Sequence, residues 1–483
     1  MTGASGARPA RPVGRRSFLL GGAAAAGALG AGAGLSACSS GSSSTSAGTT
    51  VDHSSSTSSP TTSSPTTSTT VVRRTGQRPD PTRPEGIDLI PQIEHILVLM
   101  MENHSYDNYF GVLDRGDGLT LDSAGKPTES NPDADGKPVR MFHMANTCQP
   151  DGKPSQQWND MITQWDRGKM DGFVRSASGP TAMGYWNGSD LPFYEGLAKT
   201  FPLCDRWFAS CFGQTYPNRR YLLAGTSMGT IHTISEPDPT KLDAPNGTVF
   251  DVLGKHGITC TDYYTNAPSL GLYLPSLARN IHKIKKMDTF FTDAASGDLP
   301  SYALLEPDFD RQSEEDPQDI SVGESFSSKV VDAVMHSPAW PSTVLILTYD
   351  EHGGYYDHVP PPAAVLPDAV PPRLLPGDEP FTFARYGFRV PTVIISPYAR
   401  KDYVSHVVHD HTSTLSLVEH KWNLPALTNR DGAADNLLDS LDLTGAPAFL
   451  TPPALPAPRN PNPSNPIAAP ICTAPGPIPN PAG

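Results

Sequence analysis

Two strand-like apolar runs in this chain end in side chains suited to a hard cation. Ile96-Leu97-Val98-Leu99-Met100-Met101 is followed by Glu102-Asn103, and Val344-Leu345-Ile346-Leu347-Thr348-Tyr349 is followed by Asp350-Glu351-His352-Gly353-Gly354. Carboxylate and amide oxygens are hard ligands, so a cluster of them would hold a divalent cation. Either acidic residue alone has a plainer explanation, because loops after strands are polar. The pairing of one exit with Asn103, and of the other with Glu351 and a Gly-Gly turn that lets backbone approach closely, points to a site. A third segment, from Phe208 to Leu223, reads as a loop entering a helix with Pro217 in its first turn. That places Thr215 at a helix N-terminus, where backbone N–H groups favour an anion and a hydroxyl beside a cation could attack phosphorus. An ordinary helix cap is the competing reading of Thr215.

These side chains need a scaffold. The runs Ile93 to Met100, Thr343 to Thr348 and Val390 to Ser396 have the unbroken apolar character of buried parallel strands. Helices are expected at Phe326 to His336 and at Thr412 to Lys421, the latter after His409-Asp410-His411. Alternating strands and helices imply an α/β layered domain with a mostly parallel sheet. In such sheets ligands gather outside the carboxyl ends of strands, so the two exits could share one pocket.

Residues 93 to 111 (ending Met-Met-Glu-Asn-His-Ser-Tyr-Asp-Asn-Tyr-Phe-Gly), Gly-Gln-Thr-Tyr-Pro-Asn-Arg at 213 to 219 and Tyr-Asp-Glu-His-Gly-Gly-Tyr-Tyr-Asp-His-Val at 349 to 359 resemble, in order and wording, the bacterial phosphoesterase family of phospholipases C and acid phosphatases. Gly-Lys-Met-Asp-Gly-Phe at 168 to 173 and Asp-His-Thr-Ser at 410 to 413 extend the match over nearly all of 90 to 430. The resemblance implies a three-layer α/β/α sandwich of the alkaline-phosphatase type with a hydroxyl nucleophile on a metal. Carried over by position, Glu102, Asn103, Asp350 and Glu351 become metal ligands and Thr215 the nucleophile, while His352, Asp357 and His358 lie near the site. It further implies phosphodiester cleavage of the phospholipase C type, with phosphomonoester hydrolysis or a non-catalytic binding protein as alternatives.

Two positions depart from the family pattern. Gln156, in Ser-Gln-Gln-Trp, stands where a histidine is usual, and Asp316, before Pro317, falls where a second histidine is expected. Both histidines would serve phosphate binding or protonation of the leaving group. Among other candidates, His411 reads as a pocket-edge or structural residue, with a metal pair of His409 and His411 as the alternative. His95 reads as a satisfied strand histidine, His104 and Ser105 as pocket-shaping neighbours, and the acidic run Glu306 to Glu324 as a solvated loop.

Across its 483 residues the chain carries 36 Lys and Arg against 50 Asp and Glu, a net charge of −14 that repels a phosphate backbone and argues against nucleic acid as a partner. Arg15-Arg16-Ser17-Phe18 opening an Ala/Gly stretch resembles a twin-arginine export leader, and Leu35-Ser36-Ala37-Cys38 resembles a lipoprotein cleavage site. The expected organisation is a leader over 1–37, a disordered Ser/Thr/Pro-rich linker over 38–85, a catalytic domain over 86–444 and a Pro-rich tail or surface strap over 445–483. The expected location is the outer face of the cytoplasmic membrane through a lipidated Cys38, or a secreted product. Beyond the leader no apolar run approaches the ~20 residues that cross a bilayer. The remaining cysteines, Cys148, Cys204, Cys211, Cys260 and Cys472, fit neither a disulfide-dense scaffold nor a zinc site.

Overall fold

A computed structural model describes residues 72–149, 154–233 and 241–459. The leader, Cys38, the segment up to 71, Cys472 and residues 460–483 lie outside them. Eight strands form the main sheet: β1 (His95–Met101), β2 (Leu203–Cys204), β3 (Cys260–Tyr264), β4 (Ile284–Lys286), β5 (Tyr302–Glu306), β6 (Thr343–Tyr349), β7 (Val393–Ile395) and β8 (Val404–Ser405), in the order β8-β2-β7-β6-β1-β5-β3-β4. Every residue of β1, β5 and β6 is buried, which is why their sequences run apolar instead of alternating.

β1 lies between β5 and β6 and is parallel to both. Met101 is in register with Tyr349, so Glu102 and Asp350 leave the sheet side by side. Leu99 pairs with Leu305, which brings Glu306, the last residue of β5, to the same edge. The run Val390 to Ser396 holds a correction. Its strand β7 is antiparallel to β6, with Leu345 opposite Ile395. Burial on both faces produces the same apolar run in either direction.

The helices that matter to the site are α1 (Tyr106–Phe110), α2 (Trp158–Trp165), α3 (Thr215–Ala224), α4 (Ile320–Met335) and α5 (Thr412–Trp422). Three of them pack in two groups. α4 touches the helices at 192–200 and 287–296, while α3 touches α5 and the helix at 249–255. The result is a mostly parallel sheet with flanking helices, as expected. α4 starts six residues before its expected Phe326, because Asp319 accepts a hydrogen bond from the Ser321 N–H and caps a Ser- and Gly-rich first half that lacks a clear apolar period.

The linker does not extend to 85. Arg73 is buried and ion-paired to Glu419 at 2.7 Å, and the Asn423 amide donates to the carbonyls of Asp80, Arg83 and Pro84. This segment docks through backbone groups and one buried cation, which leaves no apolar periodicity to see. The described part of the Pro-rich tail is a strap: Phe449 packs on Phe201, and the Trp340 indole donates to the Phe449 carbonyl. Cys204, Cys211 and Cys260 are buried free thiols, and Cys148 is disulfide-bonded.

The acidic run from Glu306 to Glu324 is not a solvated loop. Glu306, Glu314 and Glu324 are all buried. Glu314 accepts hydrogen bonds from the hydroxyls of Tyr109, Tyr194 and Tyr349 at 2.6 to 2.7 Å, partners drawn from three distant segments. Burial pushes the Glu314 carboxyl up to about 8 and Glu324 up to about 7. A carboxyl raised in the fold stabilises fully below its unfolded value near 4.5, and that contribution is lost as pH rises through about 8. In urea titrations the parent is therefore expected to lose more stability between pH 6 and pH 9 than Glu314→Gln does, by an amount on the order of a few kcal/mol.

Candidate active site

α3 begins at Thr215 after an extended Gln214 whose side chain makes no cap. The Thr215 Oγ1 is buried and has no hydrogen-bond partner. A capping threonine would accept from an N–H of the first turn, so the capping reading fails. The approach to Thr215 is fixed by Asn218, which accepts from the Cys211 N–H at 3.1 Å and donates to the Gly213 carbonyl at 2.7 Å.

One turn further along α3, buried Arg219 clamps the helix to three strand ends. Its Nη2 donates to the carbonyls of Met100 and Met101 on β1, its Nη1 to Glu306 Oε2 at 2.7 Å at the end of β5, and its Nε to Asp350 Oδ2 at 3.0 Å after β6. Sequence reasoning gave neither Arg219 nor Glu306 a role. The available signal was the four-residue spacing from Thr215 to Arg219, which sets both on one helix face.

The exits of β1 and β6 are tied to each other. Asn103 adopts a left-handed φ of 69°, a conformation asparagine tolerates better than most residues. Its N–H and that of Glu351 both donate to Asp350 Oδ1, at 3.2 and 2.8 Å. Glu351 Oε2 accepts from the Gly353 N–H at 2.8 Å. Gly353 has φ 68°, and a Cβ there would overlap the Asn103 carbonyl, so the glycine is required on both counts.

The oxygens left over converge in kind. Asn103 Oδ1, Glu351 Oε1 and Thr215 Oγ1 are buried without hydrogen-bond partners. Glu102, Glu306, Asp350 and Glu351 are buried carboxylates whose charges act on one another, with the Arg219 guanidinium among them. Burial pushes Asp350 up to about 7 and Glu351 well above the usual carboxylate range, despite Arg219 beside Asp350. Hard oxygen donors, orphaned and surplus in negative charge, fit a divalent cation.

His104 and His352 adjoin the two strand exits in sequence and His411 contacts one of them, whereas His95 opens β1 at the opposite edge of the sheet. His411 Nε2 lies 2.7 Å from the Asp350 carbonyl, and the Trp207 indole donates to His411 Nδ1 at 3.3 Å, which assigns the proton to Nε2 and gives His411 a structural role. His409 turns instead to Ser405 and Asp439, so the two do not form a metal pair. His352 Nε2 meets Gln164 Oε1 at 2.8 Å, and burial pulls its imidazole down to about 3. His104 lies between Asn108 and the Glu314 carbonyl, and His95 meets the Pro300 carbonyl at 3.0 Å.

Asp357 and His358 belong to a second knot. Arg389 donates from Nε to Asp357 and from Nη2 to Asp107, both at 2.9 Å, while Asp107 accepts from the His358 N–H and meets its Nδ1 at 2.7 Å. Burial pulls His358 down, but Asp107 more than restores it, to about 9. Ligand atoms of Asp107, Asp357 and His358 lie within 4.8 Å of one another, as do those of His409, Asp435 and Asp439. In the first group the place of a cation is taken by Arg389, and the knot joins the 102–107 segment to 350–358. Gln156 is buried next to Ser155, whose backbone lies against Gly354. The Tyr355 hydroxyl stands 3.2 Å from both carboxylate oxygens of Asp316.

Residues 93–425 match the sequence profile described as the Phosphoesterase family. The chain belongs to the phosphoesterase family. Among its relatives, non-specific phospholipase C1 of Arabidopsis thaliana is 33% identical over an alignment of 405 residues that covers 75% of this phosphoesterase and 74% of the plant protein. Phospholipase C A of Mycobacterium tuberculosis is 29% identical over an alignment of 445 residues that covers 81% of this chain and 83% of that one. A solved alkaline phosphatase superfamily protein from Vibrio parahaemolyticus overlaps with a TM-score of 0.36 at 11% identity, covering 75% of each chain. The fold reading for this phosphoesterase rests on its strand order, not on that overlap.

Proposed function

We propose that this phosphoesterase cleaves phosphodiesters of the phospholipid class in the manner of a phospholipase C, with Thr215 as nucleophile. The observation that carries the reading is the orphaned Thr215 Oγ1 at the first residue of α3, clamped by Arg219 to the carboxylate-bearing strand ends. Glu102, Asn103, Asp350 and Glu351 would hold a divalent cation, which supplies Lewis acidity toward the hydroxyl and the phosphoryl oxygens. The N–H groups of the first turn of α3 offer donors to the phosphoryl oxygens. Thr215 Oγ1 forms a bond to phosphorus as the bond to the leaving alcohol oxygen breaks, the threonine proton passing by way of solvent to that oxygen, and water then hydrolyses the phosphothreonine, restoring the hydroxyl and releasing the phosphomonoester. Arg219 and the Asn103 and Glu351 N–H groups hold the Asp350 carboxylate in one orientation throughout.

Diesters fit the surroundings better than monoesters. A phosphomonoester is largely dianionic at neutral pH and calls for extra cationic donors, whereas a diester carries one negative charge. Gln156 donates but carries no charge, and Asp316 is a buried acid where the family pattern has a histidine. The expected result is a higher kcat/KM for a choline phospholipid analogue than for an aryl phosphomonoester, on purified protein with metal supplied at matched pH. A clear preference for the monoester would assign acid phosphatase-like chemistry instead, and turnover of neither would leave a binding protein of the same fold.

Chelation is expected to abolish hydrolysis. Glu351→Gln removes one negative charge from the proposed ligands while keeping their shape, and should weaken divalent-cation affinity about 10- to 100-fold by isothermal titration. Unchanged affinity would exclude Glu351 as a ligand. The same proposal includes export and a lipid anchor, supported by Arg15-Arg16 and by Leu35-Ser36-Ala37-Cys38. Among the described residues no helix is long and apolar enough to cross a membrane.

A further inference from the structure

The described residues expose nine large aliphatic side chains, and four of them sit in one loop. Val365, Leu366, Leu374 and Leu375 are 42 to 49% exposed. Single exposed aliphatics are ordinary on soluble proteins, whereas several gathered in one short proline-rich stretch mark an interaction surface. The loop is held from below. The Trp158 indole donates to the Glu379 carbonyl and the Asn159 amide to the Gly377 carbonyl, both at 2.8 Å, and the Arg373 N–H donates to the Gly229 carbonyl. Its apolar side chains are therefore presented by a fixed base.

The loop is also continuous with the catalytic centre by two routes. Asp378 pairs with His232 at 2.9 Å, and the neighbouring Thr233 N–H donates to the side chain of Gln214, the residue before Thr215. A file of rings runs the other way: His352 meets Phe388 at 4.3 Å, Phe388 meets Phe212 at 5.4 Å, Phe212 meets Phe381 at 5.0 Å, and Phe381 meets Trp165 at 5.4 Å. Phe381 is itself part of the loop and is only partly buried.

Charge favours a lipid surface as the occupant. Two of the loop's acids are turned inward, Asp368 onto the Thr226 hydroxyl and Asp378 onto His232, while Arg373 is exposed beside Leu374. Glu379 is the exposed acid that remains in the loop. On a chain of net charge −14 this is a place where an apolar edge meets a bilayer without a wall of carboxylates.

We propose that the loop spanning 360–385 docks this phosphoesterase on a phospholipid bilayer, with Val365, Leu366, Leu374 and Leu375 entering the headgroup region. The inference rests on the phospholipase reading for its purpose, but its test does not. The full-length chain carrying Cys38→Ala and Thr215→Ala is sedimented with phosphatidylcholine vesicles containing phosphatidylglycerol. Adding Leu374→Asp with Leu375→Asp should lower vesicle partitioning about tenfold or more, whereas Ile281→Asp, at an exposed residue beside the edge strand β4, should leave it unchanged. With Thr215 restored, the double variant should lose vesicle hydrolysis yet keep turnover of a water-soluble aryl phosphodiester.

Equal partitioning of parent and double variant overturns the proposal, as does equal loss of soluble and vesicle turnover. A dimer in analytical ultracentrifugation that the double variant dissociates, with vesicle binding unchanged, overturns it in favour of a second copy of the chain. If the parent hydrolyses neither substrate, the phospholipase reading fails, while the sedimentation result still decides the docking surface.

Discussion

Thr215→Ala is expected to reduce phosphodiester turnover by about 10⁴-fold or more without loss of stability. Both halves of this expectation come from the same observation. The hydroxyl is buried and makes no hydrogen bond within the protein, so removing it leaves no partner unsatisfied and relieves the cost of a buried polar group. A group kept in that condition at the first residue of a helix, one turn before Arg219, serves something other than the fold. Thr215→Ser retains the oxygen and should keep measurable activity, with the loss set by the altered side-chain packing. Stopped reactions analysed by mass spectrometry should show a phosphoryl adduct on residue 215 in the parent and none in the alanine variant. An alanine variant that turns over at the parental rate would falsify the covalent mechanism.

Arg219→Leu should be the most damaging substitution to stability among those considered, at about 3 to 5 kcal/mol. The guanidinium is fully buried and donates to Glu306, Asp350 and two strand carbonyls at once. Without it two buried carboxyls face each other, and each must take up a proton or remain charged in an apolar surround. The penalty should therefore grow as pH rises, because both acids are already held above their ordinary values by burial and higher pH demands that they ionise. Arg219→Lys restores the charge but cannot span the same acceptors, so an intermediate loss is expected. Urea denaturation at pH 5 and pH 8 distinguishes this from a simple packing defect, which would give the same loss at both.

The parts of the site that were legible in the sequence are those encoded locally. β1 and β6 show as apolar runs because both faces are covered, and the residues directly after them are the proposed ligands. Pro217 marks the first turn of α3 and hence Thr215. The parts that were hidden depend on partners from elsewhere in the chain. Glu306, Glu314 and Glu324 look like solvated acids until Arg219, three tyrosines and the N–H groups of Phe193 and Tyr194 are brought to them. Arg73 looks like linker until Glu419 arrives. Asp357 and His358 share a motif with Asp350, but a turn of backbone and Arg389 send them into a different knot. Strand direction at β7 was equally invisible, since an apolar run carries no sign.

The parallel pairing of β1 with β6 has a consequence for how the chain comes to be active. His95 is in register with Thr343, and Ile96 with Tyr302, so the two ladders that set Glu102 beside Asp350 and Glu306 join segments some two hundred residues or more apart in sequence. Such contacts return free energy only after a very large loop has been closed, which makes folding slow and leaves no early subset of the chain with a formed centre. A ribosome that has not yet passed residue 349 carries half a site: the Glu102 exit and the Thr215 helix are present without the strand that aligns them. Activity is therefore a property of the finished sheet rather than of any N-terminal portion of the polypeptide.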